Sequence, residues 1–207
     1  MPIASSVIKF IKQLNRPVFT TREISDISHK TPSVVTQSLN FLSRQGVVKK
    51  LYRGVWMEIT QRTISPYVLL PHLFKSGRVY VSFLSALHLH GIIEQIPQVI
   101  TLASLSHTRK IKTGIGSYIA HKISPGFFFG FDWYKNSENF LIAEPEKALA
   151  DCLYLFTRKK KQYGFFPELH LKKPFNKEKA RLYVQRIPDK NIRKSALVKL
   201  REILHQN

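Results

Sequence analysis

Apolar residues in the first half of the chain recur at two spacings, and the spacing changes where the elements change. Val7, Ile8, Ile11 and Leu14 fall at steps of one, three and three, a single stripe that predicts a helix over Ser5–Leu14. Pro17 stops it. Thr20 or Thr21 offers a cap for a second helix carrying Ile24 and Ile27. Thr31 then caps a third, with Pro32 at the favoured first position and Val35, Leu39 and Leu42 as its buried face. Gly46 supplies the positive φ that ends a helix. Val47, Val48 and Leu51 lead into a turn at Tyr52-Arg53-Gly54, and VWMEI returns as a second strand.

Beyond the polar stretch TQRTISP the pattern predicts a second domain. Arg78 opens a short strand, followed by a helix over Ser82–Leu89 that ends near Gly91. A β-branched strand runs from Val99 to Leu105. HTRKIKTGIGSYIAHKI reads as a hairpin with Gly114 and Gly116 at its tip, and GFFFGFDWY and NFLIA as two further strands. AEPEKALADCLYLF is the best-defined helix, with Pro145 at its first position and Ala148, Leu149, Cys152, Leu153 and Phe156 as its buried stripe. Helices over Asn176–Ile187 and Asp189–His205 complete the chain. The last of these buries Leu197, Leu200 and Leu204 and exposes Lys190, Arg193, Lys194 and Arg201. The expected fold is therefore α+β: residues 1–60 as a winged helix-turn-helix, and residues 61–207 as a mixed α/β domain with a basic helical C-terminus.

Charge changes the picture more than composition does. The 43% hydrophobic and 12% aromatic content is that of a folded chain, which excludes general disorder. The 33 Lys and Arg against 13 Asp and Glu give a net charge of +20, which self-repels in a compact state and calls for a polyanionic partner. Residues 1–60 carry +6, residues 61–157 +3 and residues 158–207 +11. No apolar run approaches the roughly 18 residues of a membrane span. The N-terminus lacks a cleavage-site pattern, and a single cysteine, Cys152, fits a reducing compartment, so cytoplasm is expected.

The third helix and the hairpin carry the candidate chemistry. Thr31, Ser33, Thr36, Gln37, Asn40 and Arg44 present short donors and acceptors of the kind that match base edges in a major groove. Lys49, Lys50, Tyr52 and Arg53 on the hairpin would meet flanking phosphates, which fix register and supply most of the affinity. The structural alternative is a winged helix serving as a protein-binding module with a merely solvated polar face. Arg158, Lys159, Lys160 and Lys161, next to Tyr163, Phe165 and Phe166, are further candidates for nucleic-acid contact, against a solvated helix end.

Three blocks in order carry a resemblance: GVVKKLYRGVW, then YVSFLSALHLHGIIEQIP, then LIAEPEKALADCLY, with an R…G…Y…HKI hairpin before the last. Together they resemble the AbiE-type (AbiEi-like) antitoxins of type IV toxin–antitoxin, abortive-infection systems, over about Ser5 to Phe156. The resemblance implies a transcriptional repressor that binds double-stranded operator DNA upstream of its own operon. It also implies neutralisation of a cognate nucleotidyltransferase-like toxin, without a stable complex between the two. The last fifty residues match none of the family's blocks.

Other chemistry finds less support. Glu146 and Asp151 lie five apart, about 140° apart around a helix, and Glu144 and Glu146 suit the positive end of the helix dipole. His88 and His90 come without the partners a zinc site needs, so no metal and no cofactor are expected. Two rivals stay open: a winged-helix transcription factor whose second domain senses a small molecule, and a nucleic-acid-processing enzyme, for example a nuclease using Asp132, Glu138 and Glu144.

Overall fold

The computed structural model describes residues 2–60, 64–74, 79–135, 140–158, 166–172 and 174–206. The chain is α+β and forms two compact units: Met1–Lys75 with Lys112–Gly116, and Ser76–Ile111 with Ser117–Asn207. No helix among the described residues is long and apolar enough to cross a membrane.

The first unit begins with α1 (Pro2–Leu14), β1 (Val18–Thr20), α2 (Thr21–Ser28) and α3 (Pro32–Arg44). It continues with the hairpin of β2 (Val48–Tyr52) and β3 (Val55–Glu58), then a 3-10 turn at Pro66–Leu69 and the one-turn helix α4 (Leu70–Leu73). β1 pairs antiparallel with β3, which pairs antiparallel with β2, in the order β1-β3-β2. β1 is a difference from the sequence reading: three residues are too few to show an alternation, and their ladder partner lies almost forty residues downstream. The core gathers Val7 and Ile11 of α1, Phe19, Ile24, Val35, Leu39, Leu42, Val48 and Trp56. Trp56 keeps its one polar atom satisfied by donating from Nε1 to Thr21 Oγ1 at 2.9 Å.

Local chemistry sets the helix boundaries. Thr20 and Glu23 form a capping box: the Glu23 amide donates to the Thr20 hydroxyl at 3.1 Å, and the Thr20 amide donates to the Glu23 carboxylate at 2.7 Å. Burial pushes the Glu23 carboxyl up, but the hydrogen bonds from Thr20 and the Arg16 guanidinium outweigh it and hold it below the usual carboxylate range. α3 is capped by Thr31 and ends at Gly46, whose φ is +71°. There the Val47 amide donates to Leu42 O at 3.0 Å and the Gly46 amide to Ser43 O at 3.2 Å, the paired bonds of a Schellman motif.

The second unit is a six-stranded mixed sheet with helices. Its strands are β4 (Val79–Val81), β5 (Ile100–Ser104), β6 (Arg109–Lys112), β7 (Ser117–Lys122), β8 (Phe131–Trp133) and β9 (Leu141–Ala143), in the order β6-β7-β5-β4-β9-β8. β4–β5 and β8–β9 are antiparallel, and β5–β7 and β4–β9 parallel. The helices are α5 (Phe83–Leu89), α6 (Pro145–Arg158), α7 (Lys177–Gln185) and α8 (Lys190–Gln206). The aromatic run expected to be one strand is instead a 3-10 turn at Pro125–Phe127 and, after Gly130, the short β8. Gly130 has φ of +71° and lies against the Lys147 stem, which breaks the extended run.

α6 is buried along almost its whole length, from Glu146 to Leu155, rather than along one stripe, and Phe156 is half-buried. On α8 the buried residues are Ala196, Leu200, Ile203 and Leu204, while Leu197 and Arg193 are half-buried.

Candidate nucleic-acid interface

α3 separates its two faces cleanly. At 100° per residue, Ser33, Gln37, Asn40 and Arg44 lie within about 60° of one another. All four are exposed. Val35, Ser38, Leu39 and Leu42 are buried on the opposite side. Ser38 satisfies its hydroxyl by donating to Val34 O at 3.1 Å. Thr36 stands at one edge of the exposed stripe and donates its hydroxyl to Pro32 O at 2.7 Å, which leaves its oxygen as an acceptor only. Thr31 is engaged as the cap, accepting from the Val34 amide at 3.5 Å. Ser33, Gln37, Asn40 and Arg44 are the exposed side chains of the stripe without a hydrogen-bond partner among the described residues, while Thr36 keeps an acceptor and Thr31 its donor.

β2 is an edge strand, and it carries the cations. Lys49, Lys50, Tyr52 and Arg53 are all exposed. Lys50 pairs with Trp56 across the ladder and holds its ammonium 5.5 Å from the centre of that ring, while Lys49 donates to Gly114 O at 3.3 Å within the same unit. The register shifts between Lys50 and Tyr52, leaving Leu51 as the extra, buried residue of a bulge. A bulge re-aims the residues after it, here Tyr52 and Arg53 at the tip. Gly54, with φ of +68°, closes the turn. Neither Lys50 nor Arg53 has an acidic partner among the described residues. Arg158, at the end of α6, is exposed and donates to the Tyr154 hydroxyl at 3.2 Å; Lys159, Lys160 and Lys161 lie outside the described residues.

A second polar centre, which the sequence reading missed, lies inside the second unit. Lys147 and Asp151 form an ion pair with both side chains 0% exposed. Asp151 also accepts from the Tyr80 hydroxyl at 3.0 Å and the Ser82 hydroxyl at 2.7 Å. The Lys147 ammonium sits 3.7 Å from the centre of the Phe127 ring and 5.0 Å from that of Phe129, whose ring also lies 3.5 Å from the Arg186 guanidinium. Burial pushes Lys147 below the usual lysine range against the opposing pull of Asp151. Burial likewise pushes Asp151 up against Lys147, Ser82 and Tyr80. Phe83, next to Ser82 and fully buried, holds a left-handed φ of +56°. The pair is fully buried on α6, the helix whose residues Glu146 to Leu155 are all buried, and it fixes polar contacts within that packing. Its sequence signal is a Lys and an Asp four apart on a helix whose other residues are nearly all apolar.

Of the remaining candidates, Glu144, Glu146, Asp132 and His90 have structural partners. Glu144 accepts from the Tyr183 hydroxyl and pairs with Lys179 at 3.0 Å, and Glu146 accepts from the Asn176 amide at 2.8 Å, so both carboxylates tie α7 to the start of α6. Asp132 is exposed and accepts from the Trp133 amide at 2.7 Å, and Glu138 lies outside the described residues. His90 Nε2 lies 2.7 Å from Ala143 O, and His88 is half-buried. Among the described residues no group of three or more His, Cys, Asp or Glu is placed to hold a metal ion. No protein-family model matches the chain, and no curated protein matches it.

Proposed function

We propose that the first unit is a winged helix-turn-helix that binds duplex DNA, with α3 in the major groove and the β2–β3 hairpin as the wing on the backbone. The observation that carries this reading is the exposed stripe Ser33-Gln37-Asn40-Arg44. It sits opposite a continuous apolar face, and the hairpin that follows bears Lys49, Lys50 and Arg53. Such a surface offers bidentate partners for adenine through Gln37 or Asn40 and for guanine through Arg44, with cations for phosphates beside them. The order of the three sequence blocks supports the larger reading: a cytoplasmic DNA-binding antitoxin of the AbiE type that represses its own operon and neutralises a nucleotidyltransferase-like toxin, and is not itself an enzyme.

The test is a gel shift of the full chain on DNA from upstream of its own operon, across a salt series. Binding is expected with an affinity that falls steeply as salt rises. No shift at low salt on any such fragment would remove the DNA-binding reading.

A further inference from the structure

We propose that Phe41 reads a thymine, its ring packing on the 5-methyl group that this base alone presents in the major groove. The inference rests on the DNA-binding reading above and adds to it a residue that sets specificity.

Phe41 is out of place for a core residue. The residue is 42% exposed, whereas Val35, Leu39 and Leu42 on the same helix are 3% exposed or less. The margin of the core is made by the partly buried Ile8, Phe10, Leu14, Ile27 and Val47, whereas Phe41 is exposed. Among the described residues no aromatic or cationic side chain stacks on its ring. A single exposed phenylalanine is ordinary on a protein surface. Its position is what gives this one a role.

Phe41 follows Gln37 by four residues and precedes Arg44 by three, so it stands about 40° and 60° from them around the axis and about 6 Å and 4.5 Å along it. It therefore forms the apolar flank of the polar stripe. Major-groove edges are polar apart from the thymine methyl, and a glutamine that engages adenine N6 and N7 stands beside a pair whose other base carries that methyl. The apolar side chain and the apolar group then meet at the same step or the next. Charge argues against a second copy of this chain as the occupant, since Arg44, Lys49, Lys50 and Arg53 of the same unit would face the same cations on it.

The experiment uses the full-length protein and duplexes it enriches from a random-sequence pool at fixed salt. Each duplex is compared with its copy carrying deoxyuridine for thymidine, which removes the methyl alone. Wild type is expected to lose about three- to fivefold in affinity from substitution at one step of the site, the scale of burying one methyl-sized group. Phe41→Ala is expected to bind both duplexes equally with an unchanged unfolding midpoint, and Phe41→Leu to keep part of the difference. Equal binding by wild type to both duplexes, with a sequence still selected, would overturn the role of Phe41 and leave DNA binding standing. A methyl preference that survives Phe41→Ala, or a lowered midpoint or lost self-association in that variant, would also overturn it. Recovery of no duplex at all would overturn the DNA-binding reading and this inference with it.

Discussion

Lys147 and Asp151 illustrate how a charge can be kept in a protein interior. Neither side chain reaches water, and each is held by more than its partner: the ammonium by the rings of Phe127 and Phe129, the carboxylate by the hydroxyls of Tyr80 and Ser82. The attraction within such a pair is offset by the desolvation of both ions, so its net contribution is small, while the loss of one member leaves an uncompensated charge. Lys147→Met alone and Asp151→Leu alone are each expected to destabilise the protein by about 3–5 kcal/mol, and the double variant to recover most of that loss. Urea unfolding of the three variants measures this. A double variant as unstable as the sum of the singles would show that the hydroxyls and rings, rather than the pair, set the cost. The ring of Phe129 is shared by Lys147 and, at 3.5 Å, by Arg186, the residue that ends α7, and the two cations repel each other.

At the scale of elements, α3 and the hairpin divide the proposed work, and substitutions can separate them. Replacing Lys50 or Arg53 by alanine is expected to weaken binding to all sequences alike and to lower the salt slope by about one unit per lost phosphate contact. Replacing Gln37 or Asn40 is expected instead to cost roughly 1–3 kcal/mol on the preferred site and to relax the choice of base there. Binding isotherms on preferred and scrambled duplexes at several salt concentrations distinguish the two; identical behaviour of both classes would place α3 outside the groove. These two elements were also the most legible in the sequence, because their limits are set locally. Thr31 with Pro32 starts α3 and Gly46 ends it, with no help from distant residues. β1 was illegible because it exists by pairing with β3, and three residues carry no periodicity of their own. The aromatic run before β8 misled for a related reason: its side chains suit a strand, but Gly130 turns the backbone to fit the stem of Lys147. Of the candidate site, the exposure of Gln37 and Asn40 followed from helical spacing. The engagement of Thr36 with Pro32 O and the bulge at Leu51 depend on coordinates rather than on residue type.

For the whole molecule, on the antitoxin reading proposed above, the two compact units bear on one question, whether repression and protection can be parted. The first unit holds the proposed DNA reader, and two of the three blocks that resemble an antitoxin lie beyond it. Arg53→Ala in the intact chain is therefore expected to lose repression of the operon promoter and to keep protection against the cognate toxin. Arg53 is exposed at the turn, so the change spares the core. Promoter-reporter output measured beside survival on toxin induction decides it. Protection that disappears whenever DNA binding does would join the two activities into one.

The exposed stripe on α3 also sets a limit on information. Ser33 to Arg44 covers eleven residue steps, about 17 Å of helix. At 3.4 Å per base pair that is a window of about five pairs. Five fully specified pairs recur by chance about once in every thousand positions, so a genome of a few million pairs would offer thousands of decoys to a single α3. On the DNA-binding reading, one α3 alone could not find one promoter. On that reading the rest of the address comes from further contacts on the same duplex, through the basic tail or through a second copy bound at a fixed spacing.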